Sequence, residues 1–310
     1  AQLNMQPHVI VSGAGVGATV IRGTASFGVV RGSGNSAISD LTIEGTANPS
    51  SQVEGFFLPA IAPGDAPFRI YNLSVHADAG PGNSASGITA DGAQAADIFN
   101  VDITVTGGIS AVGIVVRPSS GVTFRSGSIN VSGSSSSALA VAISGGSATI
   151  RDSDLAANVA TALVRAVSVT NGVLVLDDVN VTGVTTSGSQ ALGIVSIGST
   201  AVITDSSVTT QGVFPTAIGM QAQSGSTATI RNTKIESNLT GLTSFASAVT
   251  VDNSVLIGPS SAAQTDGAGS SLLIGASRLE GGAASGTNGA LLVCAGVYDE
   301  NFVFSTNICP

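Results

Sequence analysis

A six-residue phrase that recurs ten times constrains the fold of this chain more than any other feature. The phrase runs apolar, variable, Asp/Asn/Ser, variable, variable, apolar, as in IRDSDL at residues 150–155. Its third positions are Asp40, Asn72, Asn100, Ser126, Asp152, Asp178, Asp205, Asn232, Asn253 and, in a weaker copy, Ala276. They lie 32, 28, 26, 26, 26, 27, 27, 21 and 23 residues apart. A period of this length predicts a solenoid, whose repeats bury their apolar residues against their neighbours.

The segments between the phrases predict strands and turns. Short runs such as VGIVV and LGIVSI are rich in β-branched residues and are separated by Gly and Ser. This pattern is typical of β-strands joined by tight turns, and it leaves no room for a helix of about 12 residues. We therefore predict an all-β chain that coils into rungs spaced about 4.8 Å apart.

The third position of the phrase predicts a turn in every rung. Asp and Asn tolerate unusual backbone angles and bond to nearby backbone groups. We expect these side chains to stack into an inward polar ladder, and we interpret them as structural rather than catalytic. The expected members are Asp40, Asn72, Asn100, Asp152, Asp178, Asp205, Asn232 and Asn253.

This combination of rung length, Asn/Asp turn and inward Ile, Val and Leu resembles the pectate-lyase-like superfold. The opening VIVSGAGVGATVIRG with SAISDLTIEGT is similar to the first rungs of pectin methylesterases and other secreted bacterial β-helix proteins. The closing CAGVYDENFVFSTNICP resembles the tail of bacterial right-handed β-helix repeat proteins, a family without an established activity. The resemblance implies a right-handed parallel β-helix of about 11 rungs over residues 1–293, and a cap segment over residues 294–310.

The only two cysteines, Cys294 and Cys309, both lie near the C-terminus. Their spacing is not that of a C-x-x-C motif, and two thiolates alone cannot complete a tetrahedral zinc site. A disulfide that closes the cap segment is therefore favoured over a redox or metal pair. A disulfide indicates an oxidising compartment, so we expect an extracellular or cell-surface protein.

Composition excludes two classes of partner. Only 9% of the residues are charged, and the formal net charge is −9. Binding to nucleic acid relies on Lys and Arg, so nucleic acid is not an expected partner. No apolar run approaches the roughly 18 residues of a membrane-spanning helix.

We further expect the N-terminal end of the solenoid to be covered by a missing segment or by another chain, because a bare rung exposes unpaired strand edges.

One column of outward residues predicts a ligand-binding stripe. The second position of the phrase holds Tyr71, Phe99, Arg125 and Arg151 in four consecutive copies. At the rung spacing they form a stripe about 14 Å long. Aromatic rings stack on sugars, and arginine pairs with uronate carboxylates, so the stripe suits a polysaccharide or cell-surface glycan.

The alternative is a solvated face without a ligand. In that arrangement Arg125 and Arg151 pair with Asp154 and Asp177, while the long loop of residues 47–68 covers the two aromatic rings. That loop carries Phe56, Phe57, Leu58 and Phe68. We expect these residues to fold back on the outer wall, although long solenoid loops also bind ligands.

Two carboxylates near the stripe are candidate catalytic groups. Asp102 and Asp154 occupy the fifth phrase position two rungs apart, or about 9.6 Å. This is near the carboxylate separation of inverting glycosidases, and with more oxygen ligands it also permits calcium. The residue sets of pectin methylesterases and polygalacturonases are absent. The pectate-lyase arrangement, a catalytic Arg beside acidic calcium ligands, stays open with Arg125 or Arg151 as the base.

Two function classes follow. The favoured one is a non-catalytic extracellular β-helix that serves as a scaffold or as a glycan-binding, adhesin-like module, with no cofactor. The alternative is a polysaccharide lyase, or another carbohydrate-active enzyme, acting on an acidic polysaccharide.

Overall fold

The computed structural model describes residues 2–24, 28–46, 52–60, 65–92, 95–159, 163–187, 190–212, 217–305 and 309. Every regular element in these ranges is a β-strand. No helix in them is long and apolar enough to cross a membrane.

The first sixteen strands lead from the N-terminus to the middle of the chain. They are β1 (Leu3–Asn4), β2 (Ile10–Ser12), β3 (Val20–Gly23), β4 (Val30–Arg31), β5 (Ala37–Thr46), β6 (Val53–Leu58), β7 (Phe68–Asp78), β8 (Ser84–Ala90), β9 (Ala95–Thr106), β10 (Ser110–Val116), β11 (Gly121–Arg125), β12 (Ser128–Ser132), β13 (Ser137–Ser144), β14 (Ser147–Val159), β15 (Leu163–Thr170) and β16 (Val173–Thr185).

The remaining strands complete the stack. They are β17 (Ala191–Ile197), β18 (Thr200–Thr204), β19 (Ser207–Gln211), β20 (Ala217–Gln223), β21 (Thr227–Arg231), β22 (Lys234–Ser237), β23 (Thr240–Phe245), β24 (Ala248–Asp252), β25 (Val255–Gly258), β26 (Ser261–Asp266), β27 (Ser271–Gly275), β28 (Arg278–Gly281), β29 (Ala284–Thr287), β30 (Leu291–Ala295), β31 (Val297–Tyr298) and β32 (Phe304–Ser305).

These strands form three long parallel faces. Face 1 contains β1, β4, β6, β8, β10, β13, β15, β17, β20, β23, β26 and β29. Face 2 contains β2, β11, β18, β21, β24, β27, β30 and the first halves of β5, β7, β9, β14 and β16. Face 3 contains β3, β12, β19, β22, β25, β28, β31 and the second halves of those five strands.

The predicted right-handed parallel β-helix is confirmed, with about 10 turns. The strand register follows the sequence repeat, because the first residue of each phrase pairs with the first residue of the next phrase. Ile70 pairs with Ile98, Ile98 with Phe124, and Phe124 with Ile150. All four are buried, so like residues stack into one continuous apolar core.

The third position of the phrase forms the corner between faces 2 and 3. All ten of these residues have a positive φ, between 44° and 57°. This left-handed conformation is one that Asp and Asn adopt more readily than most residues, which explains their recurrence at the corner.

The corner ladder lies on the outside of the helix, and the prediction of an inward ladder is wrong. Asn72 donates to Asp40 at 3.1 Å, and Asn100 donates to Asn72 at 2.9 Å. The same contacts recur between Asn232 and Asp205 and between Asn253 and Asn232. Asn100, Asp152, Asp178, Asp205, Asn232 and Asn253 are exposed, while Asp40 and Asn72 are half-buried. The left-handed residue turns its side chain to solvent and sends the next side chain inward.

The inward polar ladder is therefore one residue later, at the fourth phrase position. In the last four copies of the phrase this column holds small hydroxyl residues that are almost fully buried, Ser206, Thr233, Ser254 and Ser277. Each hydroxyl accepts from an amide of the preceding rung and donates to a carbonyl of its own. Ser206 accepts from the Val179 amide at 3.1 Å and donates to the Thr204 carbonyl at 2.6 Å. The column thus supplies the corner amides with partners that buried backbone groups need.

The described part of the segment 47–68 does not fold onto the outer wall as expected. This part contains β6 and the start of β7, whose pairing partners are ordinary rungs. Phe56, Leu58 and Phe68 are fully buried in the core, and the Phe56 and Phe68 rings lie 6.3 Å apart. Phe57 points the other way, and the guanidinium of Arg31 lies 5.5 Å from its ring. Residues 47–51 and 61–64 lie outside the described residues.

Cys294 and Cys309 form a disulfide, as predicted. Cys294 lies in β30, which pairs with β27 on face 2. After it, β31 and β32 pair in an antiparallel hairpin, with the rings of Tyr298 and Phe304 5.1 Å apart. The division of the chain between residues 293 and 294 stays a prediction.

Candidate functional site

The four residues of the predicted stripe stand in one column on the outer side of face 2. Tyr71 pairs with Phe99, Phe99 with Arg125, and Arg125 with Arg151. Because parallel strands stack at about 4.8 Å, the four side chains project from consecutive rungs of one surface. Phe99 is 44% exposed, Arg151 is exposed, and Tyr71 and Arg125 are half-buried. The long loop therefore leaves Phe99 accessible.

Both arginines of the column are engaged by neighbouring carboxylates. Arg125 Nη2 lies 3.0 and 3.2 Å from the two carboxylate oxygens of Asp97. Its guanidinium also lies 5.5 Å from the Phe99 ring centroid. Arg151 Nε lies 3.5 Å from Asp177 Oδ2. Half-exposed ion pairs of this kind are each worth about 0–1 kcal/mol, so they orient the side chains more than they stabilise the fold.

The expected partner of Arg151 is thus observed, whereas the expected partner of Arg125 is wrong. Asp97 stands two residues before Phe99 on β9, so it shares the outer side of face 2 with the column. Asp154 lies beyond the corner at Asp152, on face 3. Arg125 therefore pairs with Asp97, which projects from the same face, and not with Asp154 on the next face.

The two candidate catalytic carboxylates occupy face 3. Asp102 pairs with Ser128, and Ser128 with Asp154, so the carboxylates are two rungs apart as expected. Ser128 Oγ donates to Asp102 at 2.6 Å, and Asn180 Nδ2 donates to Asp154 at 2.9 Å. Within the described ranges neither carboxylate forms an ion pair with Arg125 or Arg151.

Electrostatically, the stripe is close to neutral. The Arg125–Asp97 and Arg151–Asp177 pairs compensate the positive charges, and the corner carboxylates run alongside. Among the residues that the structure describes, no group of three or more His, Cys, Asp or Glu side chains could hold a metal ion. The arrangement offers an aromatic and hydrogen-bonding surface rather than a concentrated cationic one.

Sequence analysis missed a buried acid on face 1. Glu54 of β6 is only 4% exposed, its Oε1 accepts from Thr89 at 3.3 Å, and its Oε2 has no hydrogen-bond partner. Burial raises the pKa of Glu54, because the charged form loses hydration. Nearby, Arg117 and Asp91 form an ion pair of 3.0 Å. The only available signal was a charged residue within an otherwise apolar run.

Comparisons with known proteins identify no family. No family model matches the sequence, and no curated protein does. Among solved structures, the A-module of mannuronan C-5 epimerase AlgE6 from Azotobacter vinelandii is 16% identical, with a TM-score of 0.41 over 96% of this chain and 76% of that one. PfbA, a surface adhesin of Streptococcus pneumoniae, is 8% identical, with a TM-score of 0.23 over 90% of this chain and 80% of that one. At these TM-scores neither similarity supports an argument about activity.

Proposed function

We propose that this chain is a non-catalytic, extracellular β-helix module that binds glycan chains on the outer side of face 2. The observation that carries the proposal is the register column of Tyr71, Phe99, Arg125 and Arg151 on an open sheet surface. Neighbouring side chains in this column repeat at about 4.8 Å along a straight line. A linear polymer that lies along the helix axis can therefore contact several rungs at once.

The ring of Phe99 is the centre of this surface. One side chain, Arg125, already stacks against it, and Asp97 holds that arginine in place. The cation–π contact, and the contact of Arg125 Nη2 with both carboxylate oxygens of Asp97, orient the ring and the guanidinium before any ligand arrives. Preorganisation of this kind reduces the entropic cost of binding.

A lyase on the same column is the weaker candidate. The resemblance to pectate lyases implies a catalytic arginine with acidic calcium ligands beside it. Arg125 and Arg151 are each paired with a carboxylate of their own face, while Asp102 and Asp154, the candidate calcium ligands, stand on the next face. This geometry favours binding over proton abstraction.

The disulfide supports the extracellular part of the proposal, because disulfides persist in oxidising compartments. We also propose that residues 294–310 form the C-terminal cap of the solenoid, and that the protein lies at the cell surface or in the extracellular medium.

The direct test is binding of polysaccharides by affinity electrophoresis and titration calorimetry, with polygalacturonate, alginate and neutral galactan as the probes. Phe99→Ala should weaken binding about tenfold, which corresponds to the aromatic contribution of about 1.4 kcal/mol. Leu273→Ala is the matched control, because Leu273 is also an exposed apolar residue on face 2. Equal affinity of the Phe99→Ala variant and the wild type for every bound probe would reject the proposal.

The lyase alternative has its own test. Unsaturated product is followed by ultraviolet absorbance with polygalacturonate or alginate, with and without calcium. We expect no product under either condition. Product formation that disappears in Arg125→Ala or Arg151→Ala would replace the binding function by an enzymatic one.

A further inference from the structure

A polar cavity lies on face 1, away from the stripe. Its volume is about 280 Å³, and it spans three consecutive rungs on β20, β23 and β26. Its lining residues are Gln221, Gln223, Thr243, Ser244, Phe245, Gln264 and Asp266. None of them belongs to the six-residue phrase.

The register arranges the lining in two parallel columns. Gln221 pairs with Thr243, and Thr243 pairs with Gln264. Two residues further along each strand, Phe245 lies between Gln223 and Asp266. Residues i and i+2 of a strand project from the same side of a sheet, so both columns face the cavity.

An exposed phenyl ring forms the apolar part of the cavity. Phe245 is 52% exposed although it carries one of the largest apolar side chains. A Cβ built on Gly267, in the turn of the next rung, would lie 3.7 Å from Phe245 Cε2. The ring thus rests beside a residue without a side chain, and its remaining surface is open to solvent.

Unused hydrogen-bonding groups surround this ring. The side-chain amides of Gln221, Gln223 and Gln264 form no hydrogen bond with the described residues. Each of these amides offers two donor hydrogens and one acceptor oxygen. Thr243 Oγ1 is buried and lacks a hydrogen-bond partner among the described residues, so the groups that a ligand can reach are the three amides.

The single charged group of the lining is held as an acceptor. Asp266 Oδ1 accepts from Thr287 Oγ1 at 2.6 Å and from Asn288 Nδ2 at 2.7 Å. These hydrogen bonds lower the pKa of Asp266, so its carboxylate is ionised at neutral pH. An ionised carboxylate has about four lone-pair sites, so it retains the capacity to accept from a ligand hydroxyl.

We infer that this cavity binds a neutral hexose unit of a glycan, with the sugar ring on Phe245 and its hydroxyls on the three glutamines and Asp266. The lining contains no cation, so it offers nothing to a uronate, sulfate or phosphate group, and Asp266 repels them. An aromatic platform ringed by amides and a carboxylate suits a ligand with one apolar face and many hydroxyls. The site is on a different face from the Tyr71 column, and the inference stands independently of the function proposed for that column.

The test uses the intact chain and titration calorimetry with cellohexaose, mannohexaose and maltohexaose as neutral hexose oligomers, and with trigalacturonate as the charged probe. At least one neutral oligosaccharide should bind, and Phe245→Ala should weaken it about tenfold. Gln264→Leu keeps the volume of the side chain but removes its hydrogen bonds, and it should weaken the same ligand. Phe302→Ala, which removes an exposed phenyl ring between β31 and β32, is the matched control and should leave this affinity unchanged.

Each other outcome overturns the inference. These outcomes are no binding of any neutral oligosaccharide, binding that is insensitive to both Phe245→Ala and Gln264→Leu, or binding of trigalacturonate as tight as that of the neutral ligands. Circular dichroism of each variant shows whether the β-helix is intact. If Phe245→Ala does not fold, Gln264→Leu alone decides the outcome. Loss of binding in Phe99→Ala, with Phe245→Ala unaffected, would assign the ligand to face 2 instead.

Discussion

The fit between Phe124 and Gly127 inside one rung can be tested by a double-mutant cycle. The fourth phrase position carries a side chain in every copy except this one, which has Gly127. This copy is also the only one with Phe at the first position. A Cβ on Gly127 would lie 2.8 Å from Phe124 Cζ and 2.3 Å from the Val101 carbonyl oxygen. The phenyl ring therefore occupies space that a side chain fills in the other rungs.

The backbone itself does not require glycine here, since Gly127 is not among the residues with positive φ. The expected cost of Gly127→Ala is thus steric, about 1–3 kcal/mol for overpacking a dense core. Phe124→Ile removes about three buried carbons, or roughly 2 kcal/mol at about 0.8 kcal/mol per carbon. In the double variant the new methyl group enters space that the ring has left.

We therefore expect the double variant to be more stable than the sum of the single effects by about 1 kcal/mol, within the range for residues in contact. Full recovery is not expected, because the Val101 carbonyl still lies close to the added methyl group.

The measurement is urea unfolding of the wild type, the two single variants and the double variant, followed by far-ultraviolet circular dichroism. The four free energies of unfolding can be compared if they fall with urea concentration at the same slope. The control cycle combines Gly127→Ala with Leu273→Ala, which truncates an exposed side chain on a distant rung, and these two changes should add. Strict additivity in the Phe124 cycle would refute the idea that ring and glycine compensate each other.

Three further changes probe the polar interactions. Hydrogen bonds from Ser39 and Asn72 lower the pKa of Asp40, so Asn72→Ala, which removes the second donor, should raise this pKa. The stability that the Asp40 carboxylate contributes above its unfolded pKa should then be lost at a higher pH on acidification, and a carboxyl-carbon NMR titration measures the shift. Glu54→Gln should raise the melting temperature near neutral pH, because burial raises the pKa of Glu54 and its ionisation opposes folding as the pH rises. The gain should vanish below the ordinary glutamate pKa, and thermal unfolding at both pH values tests this. Ser206→Ala leaves the Val179 amide without its partner and should cost about 1–3 kcal/mol in urea unfolding, whereas an unchanged midpoint would contradict a structural role for the hydroxyl column.

Much of the fold could be predicted from the repeat. Because parallel strands of equal length stack in register, a regular period between phrases is enough to place Phe99 between Tyr71 and Arg125. The columns follow from counting residues, without any knowledge of side-chain contacts. The recurrence of Asp and Asn likewise predicts a corner with unusual backbone angles.

The direction of the corner side chains could not be predicted from the same pattern. A strand alternates sides with period 2, but a left-handed residue interrupts that alternation. Simple counting therefore placed Asn100 and Asp152 inside, whereas the structure has them at the surface and Ser153 inside. The partner of Arg125 was missed for a related reason, because the corner separates it from Asp154 and leaves Asp97 on its own face.

The amino-acid sequence by itself determines which residues form strands, where each rung turns and which rungs are neighbours. These properties depend only on local backbone preference and on the length of the repeat. The cavity around Phe245 and the burial of Glu54 depend on atoms from different rungs. These atoms come together only when the rungs stack in the folded β-helix. Their contacts depend on packing at distances of a few ångströms, which no pattern within one rung specifies.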